Sequence, residues 1–457
     1  MEHSVFPKQF CDRMQLLLGE DYPAFLEAMS KERSYGLRVS PLKADPACFA
    51  ADAPFTLRPI PWAEEGFYYD AADRPGKHPY YEAGVYYIQE PSAMAVGALA
   101  DAKPGERVLD LCAAPGGKTT HLAGRMHGEG ILIANEIVPS RAKILSQSVE
   151  RAGITNCIVT NESPDKLAHR FPEYFDCIVV DAPCSGEGMF RKEDIAVTEW
   201  TPEAPAICAA RQDDILEEAA KMLRPGGRLI YSTCTFAPEE NEGTITRFLA
   251  AHPDFSVVPA QGDPAFLSGQ PDWYENAHPD VKYTFRLFPH RLDGEGHFAA
   301  VLRRSGEGGR AKPSKATLLP VKNIPREYLN FAKDTLHDLA FDRLVLNGST
   351  LWQLPEHAPD LSGLRVLRSG LQLGEVKKGR FEPSHALALA LTTEQVQHTL
   401  ALSSDDDHVN AYLRGETLPC DRKGWTLVTV DGWPLGWGKA SNGVLKNHYP
   451  KGLRRAK

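Results

Sequence analysis

Disulfide staples, zinc ligands and a membrane span are the first things this 457-residue chain lacks. Its nine cysteines are an odd number scattered through a long sequence, and no Cys-x-x-Cys pair occurs among them. That argues against both a disulfide framework and a structural zinc site. No apolar run approaches the roughly 20 residues needed to cross a bilayer. The opening Met1-Glu2-His3-Ser4-Val5-Phe6-Pro7 has no basic stretch followed by an apolar one, so no secretory leader is expected. Internal repeats are missing, as are the two common phosphate-loop signatures, Gly-x-Gly-x-x-Gly and Gly-x-x-x-x-Gly-Lys-Ser/Thr. Nor is there a net positive charge, the formal value being −9. These absences point to a cytoplasmic protein with reduced thiols, no metal and no membrane association. The length exceeds what one hydrophobic core serves, so two to four domains are expected.

What is present is strand–helix alternation over residues 96–304, the pattern of a parallel sheet covered by helices on both faces. Residues 107–111, 131–134, 175–180 and 228–231 read as buried strands, and 297–302 as the strand that closes the sheet. Helices are expected over 116–125, 205–223 and 239–250, and another carries Ala142, Leu145, Val149 and Ala152 on one face. Arg224-Pro225-Gly226-Gly227 reads as a helix stop. Residues 1–95 form an α+β unit: Phe10, Met14, Leu17 and Leu18, then Phe25 and Met29, recur at helical spacing, and strand-like alternation follows over 35–43. After the sheet, 305–317 reads as a linker, 317–380 as a small intermediate domain and 381–457 as a last domain. In that last unit Asp431-Gly432 between alternating residues signals a hairpin. Basic runs over 303–315, 365–380 and 439–457 are phosphate contacts if they converge on one face, and solvated surface otherwise.

Two cysteines carry the chemical signal. Cys184 lies in Asp181-Ala182-Pro183-Cys184-Ser185-Gly186-Glu187-Gly188 and Cys234 in Tyr231-Ser232-Thr233-Cys234-Thr235-Phe236. Each follows an apolar strand, at the end where open α/β sheets bind ligands. A cysteine is usually just a small buried hydrophobe. Here Pro183 and the Ser/Thr cluster around Cys234 mark strand-exit loops instead. A thiol so placed can add to an electron-poor ring carbon while Asp181 polarises the ring. Upstream, Asp110-Leu111-Cys112-Ala113-Ala114-Pro115-Gly116-Gly117-Lys118-Thr119 turns from strand to helix. Its small residues let the backbone approach a ligand, and the helix start offers free N–H groups. Glu136, at the end of the next strand, stands where an acid hydrogen-bonds the ribose of a nucleoside cofactor. Its plainer reading is an acid near a helix start.

These three stretches, with Met189-Phe190-Arg191-Lys192 after the second, resemble the Nol/Nop/Sun family of RNA cytosine-5 methyltransferases, and within it the RsmF-type ribosomal RNA enzymes. The likeness covers residues 1–304 with specific motifs, and extends more loosely to an end that resembles that group's PUA-like RNA-binding domain. It implies an α/β, Rossmann-like S-adenosylmethionine-dependent methyltransferase domain with an N-terminal α+β extension and a C-terminal PUA-like domain. The implied reaction is methylation of carbon 5 of cytosine in small-subunit (16S) ribosomal RNA through a covalent cysteine adduct. The implied partner is ribosomal RNA or the small subunit, and the protein would act as a monomer. Carried over by position, S-adenosylmethionine would be bound by Cys112, Ala113, Ala114, Pro115, Gly116, Gly117 and Lys118, with Glu136 on its ribose and Arg141 nearby. Asp181 would lie between cofactor and base, Cys234 would be the nucleophile, and Cys184 would assist release of the methylated RNA. The family's usual adenine-contacting Asp has no direct counterpart, which leaves Asn161, Glu162, Ser163 or Asp165. Alternatives are the same chemistry on transfer RNA, or a non-catalytic ribosome-assembly factor. The intact Asp181, Cys184, Cys234 and Gly116-Gly117 argue against the second. A chain ended near Lys315 is expected to keep its cofactor site.

Overall fold

The computed structural model describes residues 6–259, 262–309, 311, 314–337 and 341–456. Residues 1–5, part of the stretch that reads as leader-free, lie outside them. Two helices, Lys8–Leu18 and Tyr22–Ser30, precede an antiparallel sheet of β1 (Gly36–Val39), β2 (Leu57–Ile60), β3 (Ala63–Tyr69) and β4 (Tyr86–Ile88). The helical spacing shows directly in the packing. Phe10, Met14, Phe25 and Met29 are buried in a cluster with Phe190, Phe236 and Phe288. Ring centroids of Phe10 and Phe190 lie 5.0 Å apart, and those of Phe25 and Phe236 5.3 Å. Phe190 and Phe236 stand just after Cys184 and Cys234, so the N-terminal helices brace both cysteine loops.

The central sheet is built on five parallel strands, β5 (Arg107–Asp110), β6 (Ile131–Asn135), β7 (Cys157–Thr160), β8 (Phe175–Asp181) and β9 (Leu223–Thr233). Their order is β9-β8-β5-β6-β7. Helices cover both faces, which is why the strand interiors are unbroken apolar runs, Cys177 to Val180 and Leu229 to Tyr231 among them, fully buried. Strand order reverses between β8 and β5, and a crevice opens at their carboxyl ends. Further on come β10 (Phe255–Val257), β11 (Leu267–Ser268), β12 (Phe285–Leu287) and β13 (His297–Arg304), the last antiparallel to β9.

Three local expectations change. β9 starts at Leu223, directly after the helix Ala204–Met222, so Arg224-Pro225-Gly226-Gly227 belongs to the strand. The extra residues bulge out opposite Phe175–Cys177, and Asp176 holds Arg224 at 2.6 Å. The helix expected from 239 starts instead at Glu242, because Asn241 takes non-helical angles (φ −108°, ψ −93°). Ala152 is only half-buried, since its helix ends at Arg151.

The other edge of the sheet is covered by a strand from far along the chain. β14 (Leu344–Asn347), β15 (Thr350–Gln353), β17 (Leu371–Lys377) and β18 (Arg380–Pro383) form a sheet of their own, but β16 (Val366–Ser369) leaves it and pairs antiparallel with β7. Arg368 of β16 is buried against Glu150. The Arg365 amide donates to the Glu162 carboxylate at 2.7 Å. A free-standing unit over 317–380 with a boundary at 381 therefore does not describe this region. One of its strands completes the central sheet, and Phe381 lies inside β18. The physical reason is that an uncovered β7 would present a row of unpaired N–H and C=O groups. Of the linker expected over 305–317, residues 310, 312 and 313 lie outside the described residues, and much of the rest is packed. The Ser305 amide donates to Asp254 O at 2.7 Å, and Arg107 to Ala311 O at 2.7 Å.

The chain ends in a five-stranded sheet of β19 (Thr399–Leu402), β20 (Leu418–Pro419), β21 (Gly424–Val430), β22 (Trp433–Ser441) and β23 (Val444–Asn447). Asp431 (φ 47°) and Gly432 (φ 89°) form the two-residue turn joining β21 to β22, both left-handed as such a hairpin requires. This sheet shares a core with the N-terminal one, Val428, Leu435 and Tyr449 packing with Phe49, Tyr80 and Tyr86. The basic runs are largely internal ion pairs: Arg304 with Asp254 and Glu173, Lys377 and Arg380 with Glu382, Arg455 with Glu82. Lys439, Lys446 and Lys451 stay exposed, Lys439 above the Trp425 ring. Among the described residues no helix is long and apolar enough to cross a membrane.

Candidate active site

β8 and β9 end side by side, with Asp181 in register with Ser232, so the loops leaving them meet. Cys184 Sγ and Cys234 Sγ stand 3.3 Å apart, both half-buried free thiols. The Gly188 amide donates to Cys234 O at 2.8 Å. Glu187, fully buried, accepts from the Phe236 amide at 3.1 Å, Trp200 Nε1 at 3.1 Å and Arg13 Nη2 at 2.6 Å. One carboxylate thus ties both cysteine loops to the first helix.

Three side chains converge on Asp181. Lys118 Nζ lies 2.6 Å away, Ser232 Oγ donates at 2.7 Å, and His297 Nε2 from β13 is at 3.7 Å. Burial works to raise this carboxyl, but Lys118 and His297 outweigh it and hold it well below the usual carboxylate range. Lys118 shows the reciprocal balance: burial lowers its proton affinity, and Asp181 more than restores it. Asp181 and Lys118 therefore form an ion pair, and Lys118 points at Asp181 instead of lining the cavity.

The glycine turn lies between β5 and the helix Gly117–Met126. Gly116 adopts φ 115°, where a Cβ would also come within 2.8 Å of Ser148, so only glycine fits. Arg38 of β1, buried, braces the turn by donating to Gly117 O at 3.1 Å, Thr120 Oγ1 at 2.7 Å and Gln89 at 3.0 Å. Asp110 at the end of β5 accepts from Thr119 at 2.6 Å, and burial pushes its carboxyl up to about 7.

A cavity of about 980 Å³ opens where these strand ends meet. Glu136 and Arg141 form one side, Asp181, Cys184 and Cys234 the other, with Cys112 and Ala114 between. Ala113, Gly116 and Gly117 are buried behind that wall and Pro115 is exposed. Glu136 Oε1 accepts from the Val138 amide at 2.9 Å; its Oε2 is 3.4 Å from Arg141, which also donates to Ala114 O at 2.8 Å. The four candidates after β7 separate here. Asn161 spends its amide on Glu136 O and Ile137 O, and Glu162 is taken up by the Arg365 amide and Lys166. Ser163 and Asp165 line the cavity. Residue reasoning passed over His297, Glu187, Gln212 and Glu240. His297 was visible only as part of a strand, and Glu240 as one more acid at a helix start.

Family models match the chain in four consecutive pieces. The N-terminal domain of 16S rRNA methyltransferase RsmF covers residues 6–91, and 16S rRNA methyltransferase RsmB/F covers 98–303. The RsmF rRNA methyltransferase first C-terminal domain covers 330–391, and the methyltransferase RsmF PUA domain 399–455. Ribosomal RNA small subunit methyltransferase F of Klebsiella pneumoniae (strain 342) is 34% identical across 98% of this chain and 97% of its own length. The protein of that name from Escherichia fergusonii is 33% identical across 99% and 98%. Among solved structures, a methyltransferase homolog protein from Pyrococcus horikoshii aligns with a TM-score of 0.59 and 31% identity, over 65% of this chain and 95% of that one. NSun6 from Pyrococcus horikoshii, solved with SFG, is alike in fold, with a TM-score of 0.57 and 20% identity over 66% and 100%. Matched piece by piece from its first helix to its last sheet, and a third identical to relatives of the same length, the chain belongs to the RsmB/F family of 16S ribosomal RNA methyltransferases.

Proposed function

We propose that this S-adenosylmethionine-dependent ribosomal RNA methyltransferase methylates carbon 5 of a cytosine in 16S RNA, with Cys234 as the nucleophile and Cys184 serving release. The observation that carries this reading is the pair of thiols 3.3 Å apart beside a charged Asp181 on the wall of one cavity. The cavity suits the cofactor. Six carboxylates and two guanidiniums line it, which favours a cationic ligand, while Leu111, Ile137, Val138 and Pro164 offer an apolar slot for a purine. Glu136 would hold the ribose, and Ser163 or Asp165 the adenine edge. Bound there, S-adenosylmethionine supplies an electrophilic methyl group.

The protein's own part is to make carbon 5 a nucleophile. Addition of the Cys234 thiolate to carbon 6 turns the ring into an enamine. The Lys118 ammonium, which interacts with negative charge on Cys234 as well as on Asp181, favours the thiolate needed for that step. Asp181, fixed by Lys118 and Ser232, meets N3 and the exocyclic amine. On release the proton on carbon 5 is removed, the bond from carbon 6 to Cys234 sulfur breaks with its electron pair, and the ring double bond re-forms. The base must leave its stack to reach these thiols, at a cost of a few kcal/mol. The C-terminal sheets would supply RNA contacts that offset this cost, in the cytoplasm where ribosomal subunits are assembled.

Denaturing electrophoresis with 16S RNA tests the roles. Cys184→Ala should trap a covalent enzyme–RNA adduct, and Cys234→Ala should form none and transfer no methyl. The opposite pattern would exchange the two assignments.

A further inference from the structure

Glu240 is a fully buried carboxylate in the turn between β9 and the helix Glu242–Ala251, and nothing in the chemistry above uses it. Its Oε2 accepts from the Ser185 amide at 3.0 Å and from Gln212 Nε2 at 2.9 Å, while Oε1 accepts from the Ser185 hydroxyl. The same Gln212 nitrogen donates to Pro183 O at 3.1 Å, and the Gln212 oxygen accepts from Tyr231 OH at 2.8 Å. The residues on either side of Cys184 are therefore both anchored to one buried pair, Glu240 and Gln212. All three donors to Glu240 are neutral, and among the described residues no cation stands within ion-pair distance of it. A carboxylate in such a place costs free energy, and burial accordingly pushes its proton affinity up, to about 7. Its two oxygens give what an amide could not, acceptors for all three donors at once.

Cys234 has separate anchors. Its carbonyl receives the Gly188 amide, the Phe236 amide is held by Glu187, and the Thr235 carbonyl accepts from Asn241 Nδ2 at 2.9 Å. The Glu240 network reaches that loop only through the Ser185 and Thr235 hydroxyls, 2.8 Å apart.

We infer that Glu240 is a positioning residue for Cys184: with Gln212 it sets the Pro183–Ser185 loop for the release step and leaves the addition of Cys234 largely untouched. This rests on the release role proposed for Cys184. Glu240→Gln places an amide nitrogen against donors, so one of the three hydrogen bonds must break and the loop shift; displacement of a reacting group by about 1 Å can cost on the order of a hundredfold in rate.

The test compares full-length wild type, Glu240→Gln, Ser185→Ala and Cys184→Ala with 16S RNA and S-adenosylmethionine. Glu240→Gln should accumulate the covalent adduct seen with Cys184→Ala. Its kcat should fall by about tenfold or more, with first-turnover methyl transfer within about threefold of wild type and KM for RNA unchanged. Ser185→Ala, which removes a single donor, should show the same signature more weakly and stands in should Glu240→Gln fail to fold. Wild-type turnover without adduct, or an equal loss of first turnover and release, would overturn the inference. If Cys184→Ala traps an adduct and neither of the others does, this inference fails alone. If Cys184→Ala traps none, the release reading fails and the inference falls with it.

Discussion

Two acids one strand apart in the sheet meet opposite fates. Asp181 is held charged by Lys118, while Asp110, with only the Thr119 hydroxyl on it, is pushed up to about 7 from an ordinary 3.8. A carboxyl whose folded pKa is raised gives stability that is full below its unfolded pKa and is lost as pH rises through the folded value, because the folded state keeps a proton the unfolded chain releases. Asp110→Asn cannot ionise and escapes this loss. Between pH 4 and pH 8 its stability should gain on that of the wild type, by on the order of 2 kcal/mol or more. Denaturant unfolding of cofactor-free protein across that range checks it; a constant difference would show that Asp110 titrates as it does in water. Glu136, the acid on the cavity wall, affects binding instead. Glu136→Ala should weaken S-adenosylmethionine binding by about 1.5–3 kcal/mol, roughly ten- to 150-fold in Kd, through loss of hydrogen bonds to a charged group. Calorimetry reads this directly, and unchanged affinity in a folded variant removes Glu136 from the ribose.

At the level of elements, the junction between the N-terminal sheet and the helix Pro139–Arg151 turns on one glycine. Gly84, at φ 71°, sits so close that a Cβ would lie 1.8 Å from the Arg151 carbonyl oxygen. Gly84→Ala must therefore part the two elements, and should destabilise the protein by about 2 kcal/mol or more, adding backbone strain to overpacking. Thermal unfolding measures this; an unaltered melting temperature would mean the junction yields freely. Such junctions were not legible in the sequence, whereas much inside the elements was. The parallel strands could be read because each is buried on both faces and bounded by Pro or Gly, and the β21–β22 turn because Asp-Gly admits few other geometries. β16 could not be read. Val366-Leu367-Arg368-Ser369 is too short for a period, and its partner β7 lies some 200 residues earlier, where no local pattern reaches. The site divides in the same way. Cys184, Cys234 and Asp181 stand in their own loops and could be named. Lys118 was assigned to the cofactor because its pairing with Asp181 spans 63 positions, and Glu240 read as a helix-start acid because its partner is across the turn.

For the whole molecule, the C-terminal third is part of the catalytic scaffold. Ending the chain near Lys315 would remove β16, leave Glu150 buried without Arg368, and strip the Arg365 amide from Glu162. It would also free Lys43, a buried lysine of the N-terminal unit whose proton affinity burial lowers to about 8 and whose ammonium donates to Leu389 O. The simple division into domains predicts an intact cofactor site in such a chain; the structure predicts a damaged one. Breaking a buried pair alone costs about 3–5 kcal/mol, so melting should fall by roughly 6 °C or more and cofactor binding should weaken. Scanning fluorimetry with and without S-adenosylmethionine decides it, since equal melting temperatures would make β16 a passive cover. The borrowed strand also has a consequence in time. Ser369 is made 65 residues after Arg304, the end of β13. At about 5–20 residues per second that interval lasts roughly 3–13 s, during which a nascent methyltransferase sheet waits with the edge of β7 open. Slow codons or a stall in that stretch would lengthen the wait, so the yield of soluble enzyme should depend on how fast a ribosome crosses residues 305–369.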